Sequence, residues 1–209
     1  MTGPDQTRAR LLEAAGEEFA ERGYEGATIR SICARAGANL AAVHYHFGDK
    51  EQLYTQAVLE AHRCCVQPVP EAGPADDDPA EQLRVQIHHF LGNFLAIGRT
   101  DDWHRVLLLR EMIRPSPAAE TLVREVIRPR FERLAAIVRR LRPDLEGRRL
   151  HATVFSIVGQ CLHYKLARPM AERIVGPGAM EALDAEFLTG HITAFTLAAL
   201  SGGAGGDGR

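Results

Sequence analysis

The chain has 209 residues, of which 45% are hydrophobic and 25% charged, a globular composition with length enough for a substantial core. Its 25 Lys and Arg against 27 Asp and Glu leave a formal charge of -2, which excludes a polycation that coats nucleic acid or membrane by net charge alone. No run of about 18 apolar residues predicts a membrane span, no signal-peptide hydrophobic region opens the chain, and the cysteines Cys33, Cys64, Cys65 and Cys161 include no CxxC pair. A cytoplasmic protein with no membrane partner, no disulfide framework, no metal site and no cofactor is expected.

From Arg8 to Arg22 the apolar residues Leu11, Leu12, Ala15 and Phe19 recur at three- and four-residue steps, predicting an amphipathic helix that Gly23 ends. Thr28 is placed to cap a short second helix carrying Ile32, Cys33 and Ala36 on one face. Gly37 breaks the chain, Asn39 caps a third helix to Phe47, and Asp49 caps a long fourth with a Leu53, Tyr54, Ala57, Val58 and Ala61 stripe. Residues 66–82, with four prolines and an acidic run, read as a linker. Further helices are predicted at 83–98, 103–113, 117–128, 129–141, 147–168 and 179–200, with Pro129 as a kink or a new start. The Gly-rich SGGAGGDGR tail is expected to be disordered. No strand alternation and no internal repeat are visible, so the fold class is all-α.

The two short helices around Gly37 have helix-turn-helix dimensions. In the second, Val43 and Phe47 can face inward, leaving Asn39, Leu40, Ala41, His44 and Tyr45 outward, with Lys50 just beyond. Small residues let a helix approach a groove floor, while His, Tyr and Lys supply donors to phosphate oxygens. Thr28 can add its hydroxyl and its helix's first N–H groups. Arg30 is either a DNA contact or a solvated charge, His46 either a contact or a packing residue, and Asn39 a cap that can also lie near DNA. Residues 1–63 carry seven bases and nine acids, which counts against a DNA module, but within 26–50 Arg30, Arg35 and Lys50 meet only Asp49.

The segment Arg8–Leu53, above all GATIRSICARAGANLAAVHYHFGDKEQLY, resembles the DNA-binding domain of TetR-type transcriptional regulators. The first helix ending FAERGY, the Thr28 start, and Tyr45-His46-Phe47 followed by Lys50 and Leu53 carry the resemblance. The family usually has Tyr where this chain has His44, at a position that touches a phosphate. The remainder is similar to the subgroup with a CecR-like C-terminal domain, through REMIRPSPA and VIRP. The resemblance implies a DNA-binding domain at 1–50, a helical effector-binding and dimerisation domain at 51–201 entered through a connecting helix at 51–65, and a tail at 202–209. It also implies a homodimer on operator DNA that a small-molecule effector releases, and repression as the output. Two-fold symmetry in such a protein predicts a palindromic operator.

Candidates for the effector site are the aromatic Phe90, Phe94 and Trp103, which core packing would equally explain, Arg110 beside Glu111 in an apolar stretch, and Gln160 with Tyr164 one turn on. The last long helices carry more apolar surface than peripheral helices need, so Val154, Ile157, Cys161, Phe187, Ile192 and Phe195 are candidates for an intersubunit four-helix bundle. A helical enzyme or an interaction adaptor with a helix-turn-helix-like start is the alternative. No Ser-His-Asp signature, no phosphate loop and no metal-spaced carboxylate pair supports the enzyme.

Overall fold

A computed structural model describes residues 3–65, 78–95 and 103–202, except for the side chains of Pro4, Cys65, Asn93, Phe94, Leu95 and Lys165. Most of the predicted linker and all but the first two residues of the Gly-rich tail lie outside the described residues. Among those described, twelve α-helices and no strands are present: α1 Pro4–Gly26, α2 Ile29–Ala36, α3 Leu40–Phe47, α4 Lys50–Cys65, α5 Pro79–Leu95, α6 Trp103–Ile113, α7 Ala118–Leu122, α8 Arg128–Leu141, α9 Gly147–Leu166, α10 Arg168–Val175, α11 Pro177–Glu181 and α12 Ala185–Gly202.

Three differences from the sequence reading have local causes. The linker ends four residues early, because Pro79 suits the first helical position and the Asp78 carboxylate accepts the Ala80 N–H at 3.0 Å. Pro129 is the second residue of α8, which follows α7 through a π turn, Val123–Ile127, in which the Arg128 N–H reaches the Val123 carbonyl. The wider turn precedes a residue that has no N–H and whose ring crowds the carbonyl four positions back. The break before the last helix is itself two short helices, and α12 starts at Ala185, where Asp184 accepts the Phe187 N–H at 2.8 Å.

The described helices form two compact units, neither continuous in sequence. The first contains α1–α4 together with α6, α7 and the π turn. Its core gathers Phe19, Ile32, Val43, Phe47, Leu53 and Leu107. Gly16 is what admits α6 to α1: a Cβ there would collide with the Trp103 ring. The second unit contains α5 and α8–α12, around Leu83, Ile87, Val138, Val154, Leu188 and Ile192. Full burial of each such side chain contributes about 1.5–3 kcal/mol.

Candidate nucleic-acid interface

The α2–turn–α3 pair is fixed at each end by its own residues. Thr28 and Ser31 form a reciprocal capping box, with the Ser31 N–H donating to Thr28 Oγ1 at 3.1 Å. Gly37 takes the left-handed conformation (φ 59°, ψ 40°) that ends α2 within one residue. Asn39 Oδ1 then accepts the Ala42 N–H at 2.9 Å and starts α3. Arg10 of α1 donates to the Ala36 carbonyl at 2.7 Å and the Gly37 carbonyl at 3.0 Å, supplying donors that the end of α2 lacks.

The result is a two-sided α3. Val43 and Phe47 are buried at 0% and 4%, whereas Leu40 is 55% and Tyr45 81% exposed, with Ala41 and His44 exposed beside them. Thr28, Arg30 and Asn39 are exposed as well. His46 is half-buried, its ring edge-on to Tyr45 at 4.9 Å. Lys50 is half-buried, with Nζ 4.6 Å from the centre of the Tyr24 ring, a cation–π contact that points the ammonium from the start of α4. His44 Nδ1 lies 2.7 Å from the Gly48 carbonyl oxygen.

The charge on this surface differs from the sequence count. Arg35, counted there among the bases near the reading face, is engaged with three carboxylates of α1: Glu17 at 3.0 Å, Glu21 at 2.9 Å and Glu18 at 3.3 Å. Hydrogen bonding to Arg35 holds the Glu21 carboxyl below its ordinary range, and the same contacts raise Arg35 further above its own. Glu18 is 2% exposed, so Arg35 acts as a clamp between α1 and α2. Arg30 and Lys50 are the cations left at this surface among those counted over 26–50.

The other candidate residues are dispersed. Trp103 is a core residue of the first unit, 8% exposed, and its indole N–H donates to Glu13 at 2.8 Å. Arg110 lies in the same unit and reaches the Glu21 carbonyl at 3.4 Å. Phe90 and Tyr164 are half-buried against the second core, and Gln160 is half-buried on α9 with its amide 3.4 Å from the Ser156 carbonyl. The Phe94 side chain lies outside the described residues.

Val154, Ile157, Cys161 and Ile192 are 0–3% exposed inside the core of their own unit, where the apolar stripe they form is covered by the chain itself. Phe187 and Phe195 do remain exposed, at 55% and 59%, on a stripe of α12 that includes His191 between them. Phe155 of α9, which sequence reasoning missed, is 63% exposed. Its one signal was an aromatic next to a buried position on a helix already rich in apolar residues.

Glu111, flagged by its apolar neighbours, is 2% exposed and finds its partners in Tyr54 and Ser116 rather than Arg110. The Tyr54 hydroxyl donates to it at 2.8 Å, and the Ser116 N–H and Oγ donate at 2.8 and 2.9 Å. Burial first, and this carboxylate second, push the Tyr54 phenol well above its ordinary range. The network ties α4 to α6 and to the turn before α7. Among the described residues no group of three metal-ligating side chains comes together, and no helix is long and apolar enough to cross a membrane.

Residues 11–57 match the family model of bacterial regulatory proteins of the tetR family, and residues 79–200 match the C-terminal domain of the HTH-type transcriptional dual regulator CecR. The dual regulator CecR of Shigella flexneri is 25% identical over 207 residues, covering 90% of this chain and 89% of that protein. The transcriptional repressor AcnR of Corynebacterium efficiens is 40% identical over 70 residues, 34% of this chain and 37% of AcnR. Among solved structures, AibR in complex with isovaleryl coenzyme A and operator DNA has the same fold at a TM-score of 0.60, with 18% identity over 90% of this chain and 97% of AibR. These relatives are transcriptional regulators, not enzymes. An all-α chain with a capped helix-turn-helix start and this second domain belongs to the TetR family of DNA-binding transcriptional regulators, in the group with a CecR-type C-terminal domain.

Proposed function

We propose that two copies of this chain bind a palindromic or nearly palindromic operator in the cytoplasm, one α3 per half-site, as a repressor released by a small-molecule effector. The observation that carries this reading is the uncovered Leu40, Ala41, His44 and Tyr45 face of α3, next to the exposed start of α2 at Thr28 and Arg30. Thr28, Asn39 and Lys50 serve phosphates at its border, and His46 orients the helix or adds a contact. An eight-residue helix reaches few base pairs, so specificity needs two heads, on half-sites about 34 Å or a multiple of that apart.

In this reading residues 1–50 recognise DNA, and residues 51–201 bind the effector and pair the subunits. Phe155, Phe187 and Phe195 support pairing through α9 and α12, since large exposed aromatics on two helices suit an intersubunit four-helix bundle. Phe90, Gln160 and Tyr164, half-buried in the second unit, are the proposed effector contacts. AibR, solved in complex with isovaleryl coenzyme A and operator DNA, supports a small-molecule effector for a regulator of this fold. An effector that favours misplaced heads lowers operator affinity, and operator DNA lowers effector affinity by the same factor.

Selection of bound duplexes from a random pool tests the reading. A palindromic winner is expected. A winner with one half-site refutes the paired heads, and a pool without a winner refutes DNA recognition.

A further inference from the structure

His44 stands in the middle of the exposed face of α3, not at its edge. At about 100° per residue, Leu40, His44, Ala41 and Tyr45 project at roughly 0°, 40°, 100° and 140° around the helix. His44 and Ala41 are therefore the inner pair, and Leu40 and Tyr45 the outer pair. A helix laid in the major groove turns its inner positions to base edges and its outer ones to the phosphate walls.

The ring of His44 is also polarised. Its Nδ1 lies 2.7 Å from the carbonyl oxygen of Gly48, the residue that ends α3. Gly48 adopts φ 84° and ψ -77°, a conformation reserved for glycine, and this turns its carbonyl back along the helix while its N–H donates to the His44 carbonyl at 3.1 Å. A carbonyl oxygen only accepts, so the proton on Nδ1 belongs to this contact. A neutral imidazole has one ring proton, which leaves Nε2 with a bare lone pair. A lone pair repels a phosphate oxygen and attracts an N–H donor.

We infer that neutral His44 reads a base rather than a phosphate: Nε2 accepts a hydrogen bond from the exocyclic amine of cytosine (N4) or adenine (N6) in the major groove, through a ring oriented by the Gly48 carbonyl. On the strand it faces, adenine or cytosine is selected over guanine or thymine, whose major-groove edges offer acceptors at that place. This rests on the proposed docking of α3 in DNA and replaces the phosphate role that the family resemblance implied for position 44.

Two measurements on the full chain separate the parts. Long-range proton–nitrogen correlation of the histidine rings, without DNA at about pH 8.5, is expected to show the His44 proton on Nδ1, with the signal assigned by its loss in His44→Ala. A proton on Nε2 overturns the inference. Next, the duplex selected from a random pool is scanned by replacing each adenine with purine and each cytosine with pyrimidin-2-one, which have hydrogen in place of the exocyclic amine. One position per half-site is expected to cost wild type about three- to tenfold in affinity, one net hydrogen bond, and to cost His44→Ala nothing. Equal sensitivity in both proteins, or none at any position, overturns the base contact. If no duplex is selected, docking of α3 itself fails, and the ring tautomer still reports on the Gly48 contact.

Discussion

Lys50 and Arg35 are both cations of the helix-turn-helix region, yet their surroundings predict that only Lys50 contributes to DNA binding. Lys50 holds its ammonium over Tyr24 at the start of α4, with no carboxylate within ion-pair distance among the described residues. Arg35 is divided among Glu17, Glu18 and Glu21. Each phosphate neutralised contributes about 0.9 to the slope of log affinity against log salt. Lys50→Ala removes one such contact from each subunit, so the slope of a dimer should flatten by about 1.8. Between about 50 and 200 mM salt, a fourfold change, that slope difference is worth about twelvefold: the mutant's deficit at low salt shrinks by this factor at high salt. Specific and random duplexes should show the same change, because phosphate contacts carry no sequence information.

Arg35→Gln should leave the slope unaltered while lowering stability by about 1–3 kcal/mol, since the buried Glu18 loses a charged partner. Arg22 lies 3.3 Å from the other Glu18 oxygen, which keeps the loss below that of a stranded charge. Fluorescence anisotropy over a salt series measures the slopes, and urea unfolding measures the stability. If Arg35→Gln flattens the slope as much as Lys50→Ala, the assignment of charges on this surface is wrong. An unaltered slope in Lys50→Ala removes that residue from the phosphate contacts.

Tyr54→Phe keeps the edge-on packing against Phe19 and Tyr24 but deletes a hydrogen bond to a buried carboxylate, and should cost about 1.5–3 kcal/mol in urea unfolding; a neutral result would mean that Glu111 is satisfied without it. Phe195→Glu places charge on the exposed stripe of α12 and should shift sedimentation from dimer to monomer without loss of helix content, whereas an undisturbed dimer would move the interface elsewhere. Burial pushes the Cys161 thiol from an ordinary 9.0 up to about 12, so the unfolded chain gives up this proton first. The contribution is whole below pH 9.0 and is lost as pH rises toward about 12, at up to about 1.4 kcal/mol per pH unit. Cys161→Ala should show a shallower fall in stability between about pH 9 and 10, and identical slopes would contradict it.

Short-range physics made the reading head legible from the residues. Thr28, Gly37, Asn39 and Asp49 act on partners within four positions, so their caps and turns follow from spacing, as does the division of α3 into a Val43–Phe47 side and an outward side. The local rule failed where a residue type admits two local outcomes: Pro79 opens a helix where a linker was expected, and Pro129 is accommodated behind a π turn.

What the sequence settled by itself is the all-α class, the helix-turn-helix and the residues that can face outward from it, because each depends on contacts between near neighbours in the chain. The tertiary structure alone decided which of those charges are spoken for and which apolar stripe is covered. Arg35 meets carboxylates 14 to 18 positions away, and Tyr54 meets Glu111 across 57. On α9 and α12 large apolar residues also lie outside the buried stripe, so periodicity could not tell Val154 and Ile192, buried by their own chain, from Phe155 and Phe195, left open. Pairing between distant segments is set by how the helices pack, and one-dimensional spacing carries no record of it.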